Sequence, residues 1–462
     1  MSDFLNFVLS YLGRAMIIAV FALIPGVCLL LAAAKGHRRR HGPDVPFPWA
    51  RWVLILLLTG YLAVVMFVTV RQGGFYSGRC NFHLFRAWRE AWNSFSERQW
   101  LNVLLNIAMF VPLGILVPLI WPKFQKWYLM LPAGFGVSLS IEIAQLLTGS
   151  GLFDVDDLFN NTLGAMMGFW PLMAVLSLPK RKWGRCLRHT LALASAAAAI
   201  CSIFVVYDRQ EYGNLSSAPV FRVYTGDVQW TVSCPLSDEA HTVDIYKTKP
   251  WTRAECEAFG RKFLGNLGAR QVDVTVYNDE VYLREFQGAR ILEVFYQDGH
   301  YSYADLDMSR EFVQVEEEIL REALLEFGIQ IPEEAQFSCP DGQTHYFRVD
   351  RYPEGESLLD GTVAVQYEEG QGIRTIENSL VTVTYHAKEP IISPEDAVQQ
   401  LTEGHLANGD WFERSKPQRI EIRSCALSYQ VDTKGFYQPV YLVELLDPAT
   451  GNVLLEAVPA LT

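Results

Sequence analysis

The sequence predicts a multi-domain chain: an all-α six-helix transmembrane bundle followed by a soluble α+β region on the extracytoplasmic side. Three observations lead to this. Apolar blocks near the ~20 residues that cross a bilayer recur up to Tyr207 and not beyond it. Residues 1–207 hold 18 Lys plus Arg against 8 Asp plus Glu, a net of +10, while the remainder holds 21 against 43, a net of −22; the total of −12 therefore conceals two environments. After Tyr207 the pattern turns to short alternating strands, such as those within Val272–Leu283 and Ala289–Tyr303, separated by turn formers like Gln297-Asp298-Gly299.

Taken in order, six spans are expected at Met16–Ala34, Trp52–Val70, Leu101–Trp121, Trp127–Thr148, Thr162–Leu178 and Thr190–Val206. Ala32-Ala33-Ala34 has the look of a signal-peptide cleavage site, but the basic cluster directly after it reads as a stop-transfer flank, so a retained span is expected. Short loops rich in Lys and Arg stay cytoplasmic. Lys35, Arg38, Arg39, Arg40 and Arg51 lie between spans one and two, Lys123 and Lys126 between three and four, and Lys180, Arg181, Lys182, Arg185 and Arg188 between five and six. These place both termini outside. The loop 71–100 carries five Arg and argues the other way, whereas Gly149–Asn161 carries neither Lys nor Arg.

The domains expected are 1–207 in the membrane, an α+β domain over 208–389 and a small helix-plus-sheet module over 390–462, with the boundary near Glu389-Pro390. Helices are expected at Arg253–Leu267, at Val313–Phe327 and from Ser393-Pro394-Glu395-Asp396. There Ser caps the helix, Pro fits its first turn and Asp completes a capping box. The last segment, with Tyr429 and Gln438-Pro439-Val440-Tyr441, resembles small extracytoplasmic modules of the PepSY and YycH/YycI kind. The eight Cys form no CxxC pair and no Cys/His metal spacing, and pairing among Cys234, Cys256, Cys339 and Cys425 stays open. The His residues of this half stand apart from any nucleophile, and its acidic excess reads as a solvated surface.

The candidate site lies in the membrane half. Asn102 and Asn106 are four apart on span three, and Ser138, Glu142 and Gln145 are spaced by four and three on span four, so each set occupies one helix face. Asn106 and Glu142 reach comparable depths. The loop after span four delivers Asp154, Asp156 and Asp157, and Asn160 and Asn161 open span five. In hydrocarbon such groups cost several kcal/mol unless partnered, so their convergence at one membrane face marks one polar site. Gly164 and Gly168 would let span five approach a neighbouring helix closely.

These residues carry a family resemblance. Asn106 with Phe110-Val111-Pro112-Leu113-Gly114, Ser138 through Ile141-Glu142 to Gln145, Asp154-Val155-Asp156-Asp157, and Asn161-Thr162-Leu163-Gly164-Ala165 with Gly168 resemble the VanZ-like signature. Asn81-Phe82-His83-Leu84-Phe85-Arg86 resembles the segment preceding that family's third span. The resemblance implies a cell-envelope role associated with low-level teicoplanin resistance, without a settled reaction. Gly149-Ser150-Gly151 stands where the family often has a basic residue, which leaves Arg86 or Arg89 to face the acidic run.

The expected ligand-binding set is therefore Arg86, Asn106, Ser138, Glu142, Gln145, Asp154, Asp156, Asp157 and Asn161. The reading leaves four uses of it open. The carboxylates would bind a divalent cation bridging to lipid phosphate, hold Arg86 or a substrate Lys, perform general acid/base work through a desolvated Glu142, or only fix helix packing. Glu142 and Asp157 are the best candidates if catalysis occurs. No Ser-His-Asp set, HExxH, phosphate loop or nucleotide fingerprint is present. No cofactor, resident metal or nucleic-acid partner is expected. The partner expected is a membrane lipid or lipid-linked envelope component, with an extracytoplasmic protein as a second. The rival readings are a membrane-anchored sensor, a membrane-embedded enzyme on lipid-linked substrates and a transporter, the last disfavoured by the lack of inverted repeats.

Overall fold

The structure is a computed structural model that describes residues 47–71, 80–149, 151–277, 280–307, 311–355 and 357–462, together with Val27, Leu31, Ala32, Ala34 and Lys35. The expected first span therefore lies almost wholly outside the described residues. The chain divides into two compact units, residues 1–88 with 99–209 and residues 89–98 with 210–462.

In the stretch up to Arg209, which holds the first unit, the helices are α1 (Trp49–Arg71), α2 (Arg86–Ser94), which passes from the first unit into the second at Arg89, α3 (Glu97–Ile120), α4 (Trp127–Thr148), α5 (Val155–Ser177) and α6 (Trp183–Arg209). Two-residue strands β1 (Cys80–Asn81) and β2 (Phe153–Asp154) pair in parallel. Among the described residues four helices, α1, α3, α4 and α6, are long and apolar enough to cross a membrane, where six spans are expected from sequence. Pro112 and Pro118 lie inside α3 and Pro132 inside α4, as membrane helices tolerate, and Pro171 lies inside α5.

The fifth span differs in its start. The helix begins at Val155, seven residues before the expected Thr162, so Asp156 and Asp157 are helical rather than in a loop, and Asn160 and Asn161 lie in the second turn rather than at the opening. The Asp154 side chain caps this helix by accepting from the Asp156 N–H at 2.8 Å. Acidic residues in a first turn oppose the positive end of the helix dipole, so polarity that interrupts an apolar span here begins a helix. At the other end of the preceding connection, Gly149 closes α4 at φ 64, a left-handed conformation open to glycine.

The core of this unit gathers Phe110, Leu113, Met130, Ile141, Ala165, Phe169 and Met173 with Leu58 and Val65 of α1. It is drawn tight by glycine. A Cβ on Gly164 would lie 1.9 Å from the Ile107 carbonyl oxygen, one on Gly168 2.1 Å from that of Val111, and one on Gly114 1.9 Å from that of Ala165. The expected close approach of α5 thus finds its neighbour in α3, backbone against backbone.

The second unit is built on a sheet that, among its described residues, runs to fourteen strands. Near its middle the strand Thr242–Thr248 pairs antiparallel with Val381–Pro390 on one side and with Phe436–Leu446 on the other. The latter continues to Arg419–Val431 and Val453–Pro459, and Arg419–Val431 takes Gln229–Val232 in parallel. On the far side an antiparallel meander runs from Val272 to Asp305.

Helices α7 (Arg253–Asn266), α8 (Glu317–Glu326), α9 (Pro394–Thr402) and α10 (Gly409–Ser415) pack on two cores. One joins Cys256, Phe263 and Leu264 to Leu283, Leu292, Leu320 and Phe347; the other joins Val243 and Ile245 to Leu401, Phe412, Ile420, Val443 and Leu445. The expected boundary at Glu389-Pro390 falls at the end of a strand, and the core beneath residues 390–462 takes in Val223, Val243 and Ile245. Ser393 caps α9 with both bonds of the expected capping box, Ser393 Oγ accepting from the Asp396 N–H at 3.1 Å and Asp396 Oδ2 from the Ser393 N–H at 3.3 Å. Cys234, Cys256, Cys339 and Cys425 are separate thiols.

Buried Asp298 ties a hairpin turn to the strand Phe436–Leu446, accepting from the Tyr437 hydroxyl at 3.0 Å and pairing with the ring of His300. Burial works to raise its carboxyl, but the bonds and charge of His300 outweigh this and hold it below its ordinary value. The resulting stability is present above the ordinary carboxylate range of about 4 and is lost as pH falls through the lower folded-state value. Asp298→Asn is expected to flatten the acid limb of a plot of unfolding temperature against pH, measured by circular dichroism. Gly164→Ala is expected to lower the unfolding temperature in detergent by the equivalent of ~1–3 kcal/mol, the cost of overpacking exceeding the ~1 kcal/mol gain in helix propensity.

Candidate functional site

The polar residues gather where the start of α5 meets α3 and α4. Glu142 is 1 % exposed, Ser138 and Asp156 0 %, and Asn161 3 %, although each is flanked by apolar sequence. Burial this deep requires donors, and the surrounding backbone supplies them. The Asp154 N–H donates to Glu142 Oε2 at 3.0 Å, binding the turn before α5 to the face of α4. Asn161 Nδ2 donates to Ser138 Oγ at 2.9 Å, and Asn106 Nδ2 donates to Asp157 Oδ1 at 2.5 Å. Residues of α3, α4 and α5 that are distant in sequence thus meet in one network.

Each expected site residue has a definite place. Gln145 is a turn beyond Glu142 and turns to α1, where its Nε2 donates to the Thr69 carbonyl at 3.1 Å. Arg86 begins α2 within electrostatic reach of Asp154. Asp154 also accepts at both oxygens from Asn81 Nδ2, each at 3.2 Å. Asp156 serves the fold: its oxygens accept from the Phe85 N–H at 2.5 Å and the Ala87 N–H at 2.6 Å, capping the first turn of α2. Asn102, on the same expected face as Asn106, is exposed and stays out of the network. Arg89, the alternative partner for the acidic run, instead donates to the Val220 carbonyl within the second unit at 2.8 Å.

Three contributors are not in the expected ligand-binding set. Asn81 holds Asp154, and its Oδ1 accepts from the His83 N–H at 3.1 Å; Asn160 Oδ1 accepts from Trp88 Nε1 at 2.9 Å. Tyr61 of α1 donates its hydroxyl to the Met109 carbonyl at 2.7 Å. Asn81 lies inside the quoted Asn81–Arg86 motif. The other two carry no spacing signal, because the pairs Trp88–Asn160 and Tyr61–Met109 are made only by tertiary contact.

The electrostatics are lopsided. Asp154 and Asp157 act on Glu142, and Asp154 and Asp156 on Asp157. Two buried acceptor oxygens, Gln145 Oε1 and Asn161 Oδ1, lack a hydrogen-bond donor, and beside them Asn160 Nδ2 and Thr162 Oγ1 are also without a partner. Among the described residues no three acidic, His or Cys side chains are arranged to hold a metal ion. The arrangement suits a ligand that brings positive charge and hydrogen-bond donors.

Residues 52–176 match the family model described as VanZ/LLP1. The matched segment runs from within α1 almost to the end of α5 and contains every residue of the network. It agrees with the motif resemblance read from sequence. No curated protein matches the chain. The VanZ/LLP1-like segment, with its apolar helices, makes this a membrane protein.

Asp156→Asn is expected to loosen the start of α2. Losing charged acceptance at two N–H groups costs ~1.5–3 kcal/mol, which hydrogen–deuterium exchange would register as faster exchange at Phe85 and Ala87 with α3 and α4 unchanged.

Proposed function

We propose that this chain is a VanZ/LLP1-like protein of the bacterial plasma membrane whose buried acidic network engages an envelope lipid or its headgroup, and that it thereby contributes to tolerance of teicoplanin-type glycopeptides. Its second unit lies on the extracytoplasmic side in this reading. The observation that carries the proposal is the gathering of Glu142, Asp154, Asp156 and Asp157 with Arg86 among helices suited to lipid. A packing role alone requires donors and acceptors to match, yet Gln145 Oε1 and Asn161 Oδ1 lack a donor. Unmatched buried acceptors cost ~1–3 kcal/mol each, so their retention fits a site that is completed by something else.

A second reading places function in the extracytoplasmic unit, as a sensor of another envelope component. It is favoured by a polar cleft of about 680 Å³ lined by Glu285, Arg290, Asp305, Asp307, Glu368 and Arg374.

The two readings separate in a strain where deletion changes glycopeptide susceptibility. Complementation with Glu142→Gln or Asp157→Asn is expected to leave the inhibitory concentration at the deletion level. Full complementation by both variants at normal abundance counts against the membrane network and in favour of the second unit.

A further inference from the structure

In the membrane network four carboxylates stand beside two buried oxygens without a donor, Gln145 Oε1 and Asn161 Oδ1, while Asn160 Nδ2 and Thr162 Oγ1 are buried without a partner at the next positions of α5. The acceptors nearest Glu142 and Asp157 constrain what can complete it. Asp156 is occupied by two backbone N–H groups and Asp154 by Asn81 and the Asp156 N–H. Glu142 and Asp157 are the carboxylates held by a single protein bond each. Beside them Asn161, 3 % exposed and bonded through Nδ2 to Ser138, carries an Oδ1 without a donor, and Gln145 Oε1 is in the same condition.

A ligand that satisfies these atoms must donate. A divalent metal wants several oxygens converging at one point, and among the described residues no three acidic, His or Cys side chains converge in that way. A primary ammonium offers three donors and one positive charge in a compact head. A phosphate would add acceptors and negative charge to a place that already has an excess of both.

The surroundings indicate what is attached to that head. Phe82 is 71 % exposed, Leu84 49 %, Phe85 42 % and Phe159 36 %. Phe82 lies against Phe153 with ring centroids 5.9 Å apart, and Phe85 against Phe159 at 5.1 Å. This apolar rim is fastened to the network itself, since the Phe85 N–H binds Asp156 and Phe153 directly precedes Asp154. A charged group beside exposed aromatic surface suits an amphiphile.

We infer that the network receives the primary ammonium of an amine-bearing phospholipid, with Glu142 and Asp157 facing the charge, Asn161 Oδ1 and Gln145 Oε1 accepting N–H bonds, and the Phe82–Phe85 rim lying along the glycerol and chains. This rests on the lipid-binding reading above and specifies its headgroup. Phosphatidylethanolamine and phosphatidylcholine share their phosphate and chains but differ in N–H donors, which makes them the decisive pair.

The test is binding to the purified full-length protein in detergent, by native mass spectrometry and thermal shift. The probes are phosphatidylethanolamine, phosphatidylcholine, phosphatidylglycerol and soluble phosphoethanolamine. Phosphatidylethanolamine is expected to bind about tenfold more tightly than phosphatidylcholine, the worth of one or two buried N–H bonds. Asp157→Asn and Asn161→Ser are expected to reduce that ratio toward one.

Equal binding of all three lipids, or a preference for phosphatidylglycerol, overturns the amine assignment and leaves the lipid site standing. Binding of none overturns both. Phosphoethanolamine matching the intact lipid overturns the amphiphile and assigns the site to a soluble amine. If a variant fails to fold, the wild-type ratio and competition by phosphoethanolamine still decide.

Discussion

The first unit depends on how closely α3 and α5 approach. With carbonyl oxygens of Ile107 and Val111 standing where side chains of residues 164 and 168 would begin, the two backbones meet without intervening atoms. Lipid gives helices no hydrophobic reason to associate, so van der Waals contact and interhelical hydrogen bonds must hold them. Glycine supplies the contact and Asn106–Asp157 supplies a bond across the same seam. Any widening here lengthens that bond, so the packing constraint and the chemistry of the site are one condition.

That seam also explains how so many carboxylates are accommodated. Backbone N–H groups at the beginnings of α2 and α5 are unsatisfied within their own helices, and the network directs carboxylates at them. Asp154 caps α5 and Asp156 caps α2, while Glu142 takes the N–H of the residue just before α5. Two of the acids therefore act as architecture, leaving Glu142 and Asp157 with the capacity to act on something else.

Apolar length alone made most of the membrane half legible: the expected Trp127–Thr148 matches its helix to the residue, and Leu101–Trp121 matches α3 within a few positions. Helical spacing put Ser138, Glu142 and Gln145 on one side of α4, where Ser138 and Glu142 meet the start of α5 and Gln145 turns to α1. It failed at Asn102, because a shared face does not decide which part of that face a neighbour covers. The start of α5 was obscured because Asp156 and Asp157 look like a loop until Asp154 is seen to cap them. In the second unit the local signals at Ser393 and Arg253 were sufficient, whereas the sheet order was not legible, since strand partners more than a hundred residues apart leave no periodic trace.

The central position of Thr242–Thr248 has a consequence for biosynthesis. Within its unit this strand leaves the ribosome early, and its two neighbours, Val381–Pro390 and Phe436–Leu446, follow only after about 130 and about 190 further residues. Until the first arrives both of its edges, and until the second arrives one of them, offer unsatisfied peptide groups to any other extended segment. Assembly of the sheet must therefore wait for the last tenth of the chain, and a ribosome that stalls within that stretch releases a product with its middle strand open to foreign pairing.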